Sequence, residues 1–176
     1  MPLNSLRTWL GLADSKTSDV SPLRDTLDAL DRLEPQRARY LAAFAYLLGR
    51  VANADHHVSP EETSAMETLV GDQGQLSPEQ AMVVVHLAKA SNRLFGGAAN
   101  FEVAREFGAL ADYEQKLALL RCLFAVSVAD EAISTAEEGE IHRIAKELRV
   151  EHADLVKLRV AHRQHLPGVG RRGRPG

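Results

Sequence analysis

The chain writes one helix-turn-helix twice. Ala54-Asp55-His56-His57-Val58-Ser59-Pro60-Glu61-Glu62 returns 75 residues later as Ala129-Asp130-Glu131-Ala132-Ile133-Ser134-Thr135-Ala136-Glu137. Between Ala43 and Glu62 this offset gives the identities Ala43/Ala118, Leu48/Leu123, Val51/Val126, Ala54/Ala129, Asp55/Asp130, Ser59/Ser134 and Glu62/Glu137, and it pairs Val58 with Ile133. A repeated unit of this length must bury its apolar face against its copy, so the fold has to be read as two related halves sharing one core. Each copy carries an Asp and a Glu around its turn, the one polar pair that recurs.

Aromatic residues are scarce, alternating strand patterns are absent, and Ala, Leu and Glu recur at helical spacing, which makes the class all-α. With 176 residues, 45% of them apolar, a single compact helical domain of seven to eight helices with an internal pseudo-two-fold repeat is expected. In the first half, helices are predicted from Pro35 to Ala54, with Tyr40, Phe44, Leu47, Leu48 and Val51 inward, from Pro60 to Val70, closed by Gly71 and Gly74, and from Pro78 to Leu94. The second half follows Asn100 with helices to Leu110, from Tyr113 to Ala129, from Thr135 to Arg149 and from Glu151 to His165. The nearly continuous apolar run of the Tyr113 helix marks it as the most buried element. Ser59 with Glu62, Ser77 with Gln80, and Ser134 with Glu137 have the capping-box spacing, and Asp112 is placed to cap the helix that follows it.

The domain takes in residues 22–166, with halves of about 35–95 and 100–165, after a further helix from Pro22 to Leu33. Residues 1–21 hold a short amphipathic segment, with Leu3, Leu6, Trp9 and Leu10 on one face, and a polar linker. Docking of this segment onto the domain or onto a protein partner is the favoured reading. Peripheral membrane contact through Met1–Leu12 is the lesser one, because Arg7 alone is little charge for a membrane-surface helix. Residues 167–176 form a basic tail, expected to be disordered, with Arg171, Arg172 and Arg174.

The net charge of -3 conceals an acidic body, since without the tail arginines 18 basic residues face 24 acidic ones. That balance argues against a nucleic-acid partner, which needs a basic face. No charge-free apolar window of about 19 residues would span a membrane, and the amino terminus lacks the pattern of an export signal, so the expected compartment is the cytoplasm. Cys122 sits within an apolar helix, where a thiol is a packing group and not a nucleophile. His86 lies among apolar neighbours and is expected to be partly buried. Phosphate loops, nucleophile elbows and zinc-protease helices are absent, which argues against an enzyme and against an organic cofactor.

Asp55 and Asp130 each fall at the carboxyl end of a predicted helix, where the macrodipole disfavours another anion by about 0.3–1 kcal/mol. Either backbone N–H groups of the turn compensate them, or a divalent cation does. Calcium takes six to eight oxygens, whereas each turn offers two side-chain carboxylates, with Glu61 or Glu131 and Glu138 as extras. His56 and His57 could draw one site toward a transition metal, but neighbouring residues rarely ligate one ion, and exposed turn histidines are the favoured reading.

The duplicated Asp-to-Glu turn, preceded by Leu47-Leu48-Gly49-Arg50-Val51, resembles the TerB-like family, named for bacterial tellurite-resistance proteins and also found in the co-chaperone DjlA. The resemblance covers about residues 35–150. It implies an all-helical, pseudo-symmetric domain whose acidic positions have been proposed to bind metal. Carried over by position, these would be Asp55 and Glu62 in one half and Asp130 and Glu137 in the other. His56 and Glu131 stand where family members often carry Gly. The function so implied is that of a non-enzymatic binding module in a bacterial stress or tellurite-resistance system. The alternative is a metal-independent adaptor or co-chaperone-linked interaction protein.

Overall fold

Asp112 opens the helix that begins at Tyr113. Its Oδ1 accepts the Gln115 N–H at 2.8 Å while its own N–H donates to Gln115 Oε1 at 2.9 Å, a reciprocal cap that satisfies two donors the first helical turn leaves unpaired. Ser134 and Glu137 do the same for the next helix, with 3.1 Å and 2.7 Å contacts. Ser77 Oγ accepts the Gln80 N–H at 3.2 Å, but the Gln80 side chain accepts a hydrogen bond from Arg37 Nη2 at 2.8 Å.

The computed structural model describes Thr26 and residues 28–52, 60–94, 100–128 and 133–162. Seven helices span these residues: α1 (Pro35–Ala52), α2 (Pro60–Gly74), α3 (Pro78–Leu94), α4 (Asn100–Leu110), α5 (Tyr113–Val128), α6 (Thr135–Glu147) and α7 (His152–Ala161). Residues 28–31 are also helical, as expected within Pro22 to Leu33, and Leu30 is fully buried. The all-α class holds. The amphipathic segment, the basic tail, Ser59 and the aspartates of both turns lie outside the described residues.

The halves interlock. Central helices α1 and α5 touch, α2 of the first half leans on α5 of the second, and α6 of the second half leans on α1 of the first. One core therefore runs through both halves, with Leu47, Leu48, Leu119, Leu123, Ile141 and Ile144 fully buried. Tyr40 stacks on Phe107 of α4 at 5.3 Å between centroids, and Phe44 meets the same ring edge-on at 6.1 Å. Such pairs add about 0.5–1.5 kcal/mol beyond area burial.

Three expectations change. The most buried element is α1, where every residue from Tyr40 to Gly49 is buried; α3 and α4 both pack extensively along it, in addition to α5 and α6. Helix α2 does not stop at Val70 but continues through Gly71 to Gly74. Both glycines are contact positions: a Cβ on Gly71 would lie 3.6 Å from Ala81, and one on Gly74 would press on Phe44 at 3.1 Å and on Cys122 at 3.2 Å. His86 is exposed, 3.6 Å from Glu67, because α3 turns Ala81, Val84, Val85 and Ala88 inward.

The second helices of both halves close in the same way. Gln75 and Arg149 take a left-handed φ of 56°, and the N–H groups of Leu76 and Val150 reach back to the carbonyls of Gly71 and Ala145 at 3.0 Å. These are Schellman ends built without glycine at the left-handed position. Gly71 corresponds to Ala145 and Gln75 to Arg149, an offset of 74, so the second half is one residue shorter between its capping serine and this end.

Candidate functional site

The candidate acids are distributed unevenly over what the structure describes. Asp55 follows the last residue of α1 by three positions and Asp130 follows that of α5 by two; both lie outside the described residues, as do His56, His57 and Glu131. Glu62 lies in the first turn of α2. Glu137 is fully placed, and its Oε2 accepts the Ser134 N–H at 2.7 Å. Among the described residues, local helix capping engages the Glu137 carboxylate. Glu138, an extra ligand on the sequence reading, is turned away to α7, where Arg159 Nε donates to its Oε1.

The polar centre that sequence reasoning missed is next to the first turn. Arg50, on the last turn of α1, has a side chain only 6% exposed. Its Nε donates to Glu140 Oε1 at 2.7 Å and its Nη1 to Glu147 Oε2 at 2.8 Å. Its Nη2 lies 2.6 Å from Glu140 Oε1 and donates to Glu147 Oε1 at 3.4 Å. Arg143 Nη1 holds the second oxygen of Glu140 at 2.6 Å. Burial pulls the Arg50 pKa down, but the hydrogen bonds from Glu147 and Glu140 outweigh it, so the guanidinium is held charged more firmly than usual. The signal was present: a lone arginine inside Leu47-Leu48-Gly49-Arg50-Val51, and two glutamates two helical turns apart on α6.

Elsewhere the titratable groups serve packing. Burial pushes the Cys122 thiol up to about 12, only partly opposed by Arg121, and Sγ contacts the Val70 carbonyl at 3.8 Å. A thiol held in that state is a poor nucleophile. His142 and His162 each donate Nδ1–H to the carbonyl four residues back at 2.9 Å, and His162 also stacks on Phe124 at 5.5 Å. The Ser127 hydroxyl, near the end of α5, is buried without a hydrogen-bond partner among the described residues. Among the described residues no group of three or more His, Cys, Asp or Glu is arranged to hold a metal ion. None of the described helices is long and apolar enough to cross a membrane.

Comparison with known proteins adds one match. The family model described as Tellurite resistance protein TerB matches residues 41–160, from the middle of α1 to the end of α7, taking in both turns. No curated protein and no solved structure matches the chain.

Proposed function

The chain belongs to the TerB family, and from that premise we propose that it is a non-enzymatic binding module of a bacterial stress or tellurite-resistance system, acting in the cytoplasm, whose two inter-helix turns take a divalent cation. The observation that carries this reading is the recurrence of an aspartate just beyond the carboxyl end of each central helix, α1 and α5. Capping accounts for Glu137. It does not account for an acid placed against the helix dipole in both halves, which a cation would compensate. Asp55 with Glu62, and Asp130 with Glu137, are the residues assigned to the ion.

Titrating calcium, magnesium and zinc separately into the purified full chain, with binding heat and melting temperature as readouts, tests the proposal. A ligand that binds only the folded state at a hundred times its Kd stabilises by about 2.7 kcal/mol. We expect such a rise with at least one of the three ions, and its loss in the double variant Asp55→Ala, Asp130→Ala. No response to any ion, or an unchanged response in the double variant, overturns it.

A metal-independent adaptor is the second reading. It is favoured by the outward side of α7, where Val156 and Val160, one helical turn apart, are 40% and 57% exposed while Leu155 turns inward. Affinity purification with and without residues 1–21 tests it, since an adaptor should lose one defined partner when its docking segment is removed.

A further inference from the structure

We infer that the Arg50 cluster is a one-sided latch that makes the carboxyl end of α1 and the whole of α6 open as one unit, so that a displacement at either inter-helix turn is felt at the other. Arg50 stands on the turn of α1 that leads into the first inter-helix segment. Of its partners, Glu140 lies midway along α6 and Glu147 is its last residue, so the cluster grips the carboxyl-terminal half of that helix. The start of α6 is in turn fixed to the second inter-helix segment by the Ser134–Glu137 capping box.

Glu140 and Glu147 side chains are 17% and 18% exposed, against 6% for Arg50. Separating α6 from α1 would break the charge-assisted hydrogen bonds of Arg50 to both carboxylates at once. Moving the two together preserves all of its hydrogen bonds. The latch is one-sided because the position matching Arg50 in α5 is Ala125. Among the described residues no ion pair joins α5 to α2, the symmetry-related junction, where Gly74 and Val70 of α2 meet Cys122 of α5. Contacts of that kind are largely non-directional, so among the described residues no comparable ionic bridge ties α2 to α5.

Native-state hydrogen exchange of the full chain, read by mass spectrometry in graded low urea, tests the latch. Amides of the last turn of α1 and of α6 should converge on one opening curve, with α2 on a separate one. In Glu147→Gln, where a charge-assisted hydrogen bond between the two helices is replaced by a neutral one, the curves should part, with α6 protection falling by about tenfold relative to the last turn of α1, while α2 and α3 are unchanged. Arg143→Gln, which removes only the outer contact of Glu140, should alter either segment by less than about twofold. Curves for the two segments that stay superimposed in Glu147→Gln, or an equal loss across α2 and α3, would overturn the proposal. If Glu147→Gln does not fold, the wild-type urea series decides by itself, and two distinct curves for α1 and α6 would sink the latch.

Discussion

The same junction is built twice with different chemistry. Where α2 meets α5, a glycine lets the backbone approach closely: a Cβ at Gly74 would stand 3.2 Å from the Cys122 sulfur, and that sulfur contacts the Val70 carbonyl. Where α6 meets α1, the helices are bridged by a guanidinium between two carboxylates. Duplication therefore transmitted a geometry, the crossing of each second helix onto the other half's central helix, and left the contact chemistry free to diverge. The apolar junction depends on the absence of a side chain. The ionic junction depends on the presence of one.

Breaking the ionic junction should have the larger effect. Arg50→Met leaves two poorly exposed glutamates facing each other and should cost about 3–5 kcal/mol, read as a fall in the urea midpoint with unchanged slope. The apolar junction should fail to the opposite operation: Gly74→Val forces side-chain atoms into Phe44 and Cys122 and should cost about 1–3 kcal/mol.

Smaller changes sharpen the comparison. Ser134→Ala and Asp112→Ala each remove one partner of a capping box and should each cost about 1 kcal/mol; similar melting shifts would show that the caps, unlike the junctions, are energetically equivalent. Gly139→Ala provides the control for Gly74, because nothing lies within 4 Å of the added Cβ. It should stabilise by about 0.5–1 kcal/mol through helix propensity alone.

The apolar junction also carries a pH signature. Burial raises the Cys122 thiol from 9.0 to about 12, so the folded state favours the neutral form. The stability this contributes is complete below pH 9 and is lost as pH rises from 9 toward about 12. Tyr40, raised from 10.0 to about 12 mainly by burial, adds a similar loss that begins one unit higher. The urea midpoint should decline from pH 9 in the wild type and only from pH 10 in Cys122→Ala. A thiol reagent at pH 8 should label Cys122 at the rate of unfolding.

Much of the fold was legible because helices and their caps are local. The starts of α3, α5 and α6 follow from Ser77, Asp112 and Ser134, each acting within three residues of itself. The end of α2 was misread because Gly71 and Gly74 carry the composition of a stop signal, whereas the chain uses them for close packing and turns at Gln75. His86 was misread because its apolar sequence neighbours straddle both faces of α3, Met82 outside and Leu87 inside. In the candidate site, Glu137 could be assigned to its cap from spacing alone. The role of Arg50 could not, since its partners lie 90 and 97 residues away.

By itself the sequence determined the all-helical class, the duplication, the capping boxes and the position of an acid beyond each central helix. All of these depend on periodicity or on groups within one helical turn of each other. The tertiary structure alone decided that the halves interlock by exchanging their second helices, that α1 and not α5 is the most enclosed element, and that one junction is apolar and the other ionic. Those outcomes depend on which surfaces meet across the core. The repeat leaves that open, because equivalent positions such as Arg50 and Ala125 carry unlike chemistry.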